Sequence, residues 1–240
     1  MSVEVLKAKE DIDSSRSRLL DRGISCLALE IGRRSRWQRL LGTGRRTLGD
    51  AVKSWDVLRT VEYLERAYPR SARVLDIGAF NSEVLCVLHR LGFERLTGVD
   101  LNPAIRDMPL AEAIRYEVGN FLHTPFPEDS FDVVTAISVI EHGFEGPALL
   151  TELSRILAPG GSFVASVDYW PEKIDTSNQK FFGMDWRIFS RDELGALVAL
   201  AADYGFAPEG TLALEAGEPT IHCADRDYTF AWLALKKRRA

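Results

Sequence analysis

Arg73-Val-Leu-Asp-Ile-Gly-Ala-Phe-Asn-Ser82, with Leu96-Thr-Gly-Val-Asp100 a short way downstream, is the stretch whose reading decides the fold. The apolar run Val74 to Ile77 breaks at Gly78 into a tight turn, and Ser82-Glu-Val-Leu-Cys-Val-Leu-His-Arg-Leu91 then carries apolar residues at helical spacing. The order is strand, turn, helix. A second strand ends in an acid at Asp100, 22 residues after Gly78. That is near the ~20 expected when a strand-end carboxylate receives a ribose diol. The first inference is therefore a nucleoside-binding α/β fold.

The pattern Val74-Leu-Asp-x-Gly78, then Gly98-Val-Asp100, resembles the class I S-adenosylmethionine (SAM) dependent methyltransferases rather than the dinucleotide dehydrogenases. A dehydrogenase turn seats a pyrophosphate on a helix N-terminus and needs two further glycines for close approach; here those places hold Phe80 and Ser82 or Glu83. SAM has no phosphate, so bulk in the loop is better tolerated, although Phe80 also departs from the family's Gly-x-Gly-x-Gly. Three later stretches resemble the family's motifs in the family's order. They are Gly119-Asn-Phe121, Pro125 to His142, and Leu149 to Gly161. The resemblance runs from about Ser71 to Lys236. It implies a Rossmann-like, seven-stranded, mostly parallel sheet with an antiparallel last strand and helices on both faces. It also implies SAM as cofactor, bound by Asp76, Gly78, Ala79 and Phe80 in the turn and by Asp100 and Leu101 after the second strand. Asn120 and Phe121 fall at the adenine, and Ile137 and Ser138 border the methionine part.

Residues 71–240 are thus assigned to the methyltransferase domain and residues 1–70 to an N-terminal helical extension. In the segment Ala51 to Tyr68, Val52, Trp55, Leu58, Val61 and Leu64 form one stripe, closed by Pro69. Trp55 is either core or a wall of the cofactor pocket. Arg33, Arg34, Arg36, Arg39, Arg45 and Arg46 form either a solvated basic face or a site for an anionic group of the substrate. Asn120 offers an acceptor to an adenine amino group, or simply caps a turn after Gly119.

Phe131 to Ser138 reads as a strand buried on both faces, with chemistry expected outside its carboxyl end. Glu141-His142 resembles the Glu-His of metal-using relatives, whose further glutamate lies three positions earlier. Ser138 stands there in this chain, which removes a carboxylate ligand, so no metal is expected. His142, as general base or merely a helix-start residue, and Asp168 are the catalytic candidates. The aromatic stretch Asp168 to Phe189 has no clean periodicity and reads as a substrate lid, with a small satellite core as the other reading. Ser190-Arg-Asp-Glu193 is a capping box for a helix to Tyr204; Thr211–Ala216 and Tyr228–Leu235 read as the last two strands.

Composition narrows the partners. With 240 residues and 46% hydrophobic content the chain has room for one large α/β domain and an appendage. A net charge of −5 argues against a dedicated nucleic-acid binder. Cys26, Cys86 and Cys223 form no Cys-x-x-Cys pair, which points to a reducing, cytoplasmic setting. No run approaches the ~18 apolar residues of a membrane span, and the charged N-terminus is unlike a signal peptide. The function expected is methyl transfer from SAM to the oxygen or nitrogen of a small-molecule acceptor, with sugars, lipids and natural-product intermediates as acceptor types. A non-catalytic SAM-binding module and a nucleotide-binding oxidoreductase are the rivals.

Overall fold

The computed structural model describes residues 3–32 and 46–239. Three runs of apolar residues decide the layering. In β2 (Arg73–Ile77), Val74 enters one core and Leu75 the other; Val133 and Val134 of β5 (Phe131–Ile137), and Val164 and Ala165 of β6 (Leu157–Tyr169), divide the same way. Alternate side chains of a strand point to opposite faces, so strands with no polar face must be covered on both sides. One face is covered by α2 (Ser54–Ala67) and α3 (Val84–Arg90), the other by α4 (Gly146–Ile156) and α5 (Arg191–Asp203).

Strands β6, β5, β2, β3 (Arg95–Asp100) and β4 (Ile114–Val118) lie parallel in that spatial order. The long β11 (Arg226–Lys237) is antiparallel to β6, as expected of the last strand. Between β2 and β5 the strand order reverses, and a crevice opens at such a point outside the carboxyl ends.

The far edge departs from expectation. Val3–Val5 is a strand, β1, not part of a helix, and pairs antiparallel with Leu233, Trp232 and Ala231 of β11. Its two β-branched valines face the core, which explains the strand. Residues 211–216 are not a regular strand: Leu212 makes a single bridge to Val3 and is 44% exposed. The strand that pairs there is β9 (Phe206–Pro208), whose Phe206 ring is fully buried, and Ile221–Cys223 adds the short β10. The apolar alternation at 211–216 was too weakly buried to hold a strand against these competitors.

Helix α1 (Lys9–Asp21) packs on α2 through Ile12, Ser15 and Leu19. Arg16 projects from it into a largely buried clamp. Its guanidinium donates to Ser25 Oγ and Ser54 Oγ (both 2.9 Å) and to Glu83 Oε1 (2.5 Å), while Glu83 Oε2 also accepts from the Cys26 amide (3.0 Å). The clamp joins α1, the following loop, the start of α2 and the residue before α3. Because Glu83 is only 1% exposed in its side chain, removing the arginine strands a buried charge. Arg16→Ala is therefore expected to lower the stability by about 3–5 kcal/mol in urea unfolding; a change below about 1 kcal/mol would show the clamp to be dispensable.

Candidate active site

The turn after β2 is set by a steric limit. Gly78 has φ of +67°, and a Cβ there would lie 2.4 Å from the Val139 side chain, so only glycine fits. Asp100 then fixes the turn from the neighbouring strand: its carboxylate accepts from the Phe80 amide (3.0 Å) and the Asn102 amide (2.7 Å). Asn81, also at positive φ, accepts at Oδ1 from the Gly49 amide (2.9 Å) and ties this rim to the N-terminal segment.

Around the turn, at the carboxyl ends of β2, β3, β5 and β6, lies a cavity of about 770 Å³, within the ~300–1,000 Å³ of small-molecule sites. Of the residues expected at the cofactor, Gly78, Phe80, Asp100, Leu101, Phe121, Ile137 and Ser138 line it, as do both catalytic candidates, His142 and Asp168. Three expected residues stand outside the wall. Ala79 is buried behind the turn. Asp76 is 1% exposed and accepts from the Thr135 hydroxyl (2.6 Å), with burial pushing its carboxyl up to about 7. The Asn120 oxygen accepts from the Leu122 amide (2.9 Å), so its local role is the turn. Trp55 lies in the core at 5% exposure; Lys53 and Val57 of the same segment reach the cavity instead. Of the arginine cluster, positions 33–45 lie outside the described residues.

The inner end carries what the sequence reading missed. Glu141 is 1% exposed, lines the cavity, and neither carboxylate oxygen has a hydrogen-bond partner among the described residues. Asp168 accepts from Trp186 Nε1 (2.8 Å) through Oδ2, while its Oδ1 makes no well-formed hydrogen bond among the described residues, although the Tyr228 hydroxyl lies beside the carboxyl and favours its charged form. Asp56, on α2, is fully buried with neither oxygen in a well-formed hydrogen bond among the described residues, the Ser166 hydroxyl being its nearest donor. The ammonium nearest in influence is Lys53, whose Nζ donates to Ser138 Oγ (2.5 Å) and sits 3.7 Å from the Phe230 ring centre. Burial raises all three carboxyls: Asp56 to about 7, and Glu141 well above the usual range with the Asp168 charge adding to the push. Lys53 opposes the rise in each case. His142 moves the other way, down to about 4, through burial and then Lys53. A base that weak is poorly matched to proton removal near neutrality, whereas burial moves the carboxyls toward greater proton affinity. Glu141 was visible in the sequence only as half of a Glu-His pair whose third metal ligand is replaced by Ser138; its burial depends on the strand-end loop, not on any local pattern.

The segment 168–189 is not one lid. Tyr169 and Phe189 are fully buried and Trp186 is 4% exposed, which makes both ends core. Only a hairpin of β7 (Lys180–Phe181) and β8 (Met184–Asp185) stands over the cavity, with Phe182 at its tip 86% exposed. The tryptophan is needed inside because its ring N–H is the donor that Asp168 uses.

Asp56 gives a pH signature. A carboxyl raised on folding adds stability below its unfolded value of 3.8, and that contribution is lost as pH climbs through about 7. Asp56→Asn is thus expected to gain on the parent protein by about 3 kcal/mol between pH 5 and pH 8.5 in urea unfolding. A difference that is the same at both pH values would contradict the assignment.

The family model described as a methyltransferase domain matches residues 75–165. Among curated proteins, the demethylmenaquinone methyltransferase of Deinococcus radiodurans is 30% identical over 59% of this chain and 61% of its own length. A Mycolicibacterium smegmatis protein named probable S-adenosylmethionine-dependent methyltransferase is 30% identical over 72% of this chain and 67% of its own length. The chain thus spans about three fifths to two thirds of these relatives. Of solved structures, the geranyl diphosphate C-methyltransferase of Streptomyces coelicolor A3(2) shares the fold, with a TM-score of 0.57, 18% identity and coverage of 95% and 97% of the two chains. So does the [4+2]-cyclase SpnF, with a TM-score of 0.56, 16% identity and coverage of 100% and 99%. The match to the Mycolicibacterium smegmatis protein carries the assignment: the chain belongs to the S-adenosylmethionine-dependent methyltransferase family.

Proposed function

We propose that this chain catalyses methyl transfer from SAM to the nitrogen or oxygen of a small-molecule acceptor. The observation that carries the reading is one cavity with two chemically distinct ends: the Gly78 turn with the Asp100 carboxylate at one, and the buried Glu141 and Asp168 carboxyls at the other. The first end fits the cofactor. The glycine keeps open the space that a Cβ would fill, and a carboxylate anchored by two backbone amides is a rigid acceptor for ribose hydroxyls. Gly78, Phe80, Asp100, Leu101, Phe121, Ile137 and Ser138 would hold it there.

When bound, SAM supplies an activated sulfonium methyl. What remains for the chain is to align an acceptor, to exclude water and to take up a proton. Phe181, Phe182 and Met184 of the hairpin wall the cavity and supply the apolar cover. The acceptor's proton goes to the Glu141–Asp168 pair, with His142 a weaker alternative. The shared fold of a cyclase bears on this, because the fold alone does not fix the reaction.

Asp100→Ala is expected to weaken SAM binding by about 1.5–3 kcal/mol, roughly ten- to hundredfold in Kd. Unchanged affinity by calorimetry, with circular dichroism showing an intact fold, would remove Asp100 from the cofactor site. Turnover on an acceptor library separates an enzyme from a SAM-binding module. Activity is expected to persist in EDTA, since Ser138 stands where metal-using relatives carry a carboxylate; loss in EDTA restored by magnesium or zinc would reverse that reading.

A further inference from the structure

We propose that the inner end of the cavity is a recognition site for an amine carried on an apolar or aromatic body, and that this is the class of acceptor the protein takes. The inference rests on the methyltransferase reading and specifies its acceptor.

The first observation is an excess of unmade acceptor bonds. Glu141 is buried, aimed into the cavity, and both its oxygens lack a partner among the described residues, as does Asp168 Oδ1. A buried carboxylate left unpaired costs several kcal/mol, so such oxygens call for a donor, and a positively charged one returns the most. Among the described residues no cation supplies it, and the one further neutral donor beside the pair is the Tyr228 hydroxyl, next to Asp168. Lys53 is the lone lysine or arginine among the described residues of the cavity wall, and its Nζ is directed to Ser138 Oγ and the Phe230 face. No ion pair within 4.0 Å joins it to Asp56, Glu141 or Asp168 in the described structure. The wall carries Asp50, Glu83, Asp100, Glu141 and Asp168 against that one ammonium. Glu83 is paired with Arg16, Asp100 accepts from two amides and the exposed Asp50 from the Val52 amide, which leaves the inner pair as the carboxyls without a cationic partner among the described residues.

The second observation is independent of charge. Three rings form a continuous wall beside these carboxyls: Phe181 and Trp186 meet edge to face at 5.0 Å, and Trp186 and Tyr228 at 5.7 Å. All three line the cavity. Aromatic faces attract a cationic nitrogen through the ring quadrupole, and rings set around a carboxylate are a recurrent way to hold one. An alcohol gains little from either feature, and a carboxylate or phosphate is repelled by both. The exposed Phe182 and Leu101 extend apolar surface to the mouth, where the body of such a molecule would lie.

The proposal is tested by calorimetry with the protein loaded with S-adenosylhomocysteine, using 2-phenylethylamine, 2-phenylethanol and phenylacetate as probes. The amine is expected to bind at least tenfold more tightly than the alcohol, with phenylacetate weakest. In Glu141→Gln the preference should fall below threefold while S-adenosylhomocysteine affinity is unchanged. Asp168→Asn, which keeps an oxygen for the Trp186 N–H, should act in the same direction and serves if the first variant does not fold. The proposal is overturned if the amine fails to bind at millimolar concentration, if the alcohol or the anion equals it, or if the preference survives in a folded variant. A loss of S-adenosylhomocysteine affinity in Glu141→Gln would assign the carboxylates to the cofactor and overturn it as well. If the parent protein does not bind S-adenosylhomocysteine, the cofactor reading fails instead, and the amine preference is then measured on the free protein.

Discussion

The carboxylate of Asp100, holding the amides of Phe80 and Asn102, is the interaction on which the site depends. It connects the ends of two adjacent parallel strands, so the turn after β2 cannot move without β3. The turn in turn can close only because position 78 has no side chain to meet Val139, which follows β5. Three strand ends are thereby locked into one rim. Hydrogen bonds to an ionised acceptor are worth more than neutral ones, which suits this residue to a structural task as well as to ligand binding. A ligand at this rim meets a surface already ordered, and little binding energy is spent on arranging it.

The opposite end of the cavity is built on a different principle. Asp56, Glu141 and Asp168 gather around Lys53 in a space from which solvent is largely withdrawn. Such an arrangement is costly for the free protein, because desolvation outweighs what a single ammonium returns. Sites of this kind are where the local rules of folding give way to chemistry. Ser138 shows the same tension in its backbone: a non-glycine residue at φ of +51°, immediately after β5, accepts the hydrogen bond of Lys53.

How far the sequence spoke depended on whether the deciding contacts were local. The strand–turn–helix at 73–91, the buried β5 and the Ser190 capping box each carry their signal within a few residues, and each is found in the structure. The place of Asp100 at the end of β3 was legible because its distance from Gly78 reflects the length of one strand–helix–strand unit. Glu141 was not, since nothing near it reveals that Asp56 and Asp168 converge on the same interior. Trp186 read as part of a loose cover because the bond that buries it reaches back to Asp168, on a different element. The edge strands failed for a similar reason. The three residues Val3–Val5 have no periodicity to read, and their partner lies at the other end of the chain.

That last pairing sets an order of events. Val3 faces Leu233 across the sheet edge, so β1 pairs with a strand made more than two hundred residues after it. Closing so long a loop is slow and pays its entropy before any contact returns it. The parallel strands β2 to β6 and their helices can assemble from shorter-range contacts while β11 is still unmade. The N-terminal strand must therefore wait, and until it docks, the outer edge of β11 offers unpaired amides to any extended segment nearby. Fold completion at this edge thus waits for β11, and in the interval before it the edge is open to pairing with a neighbour.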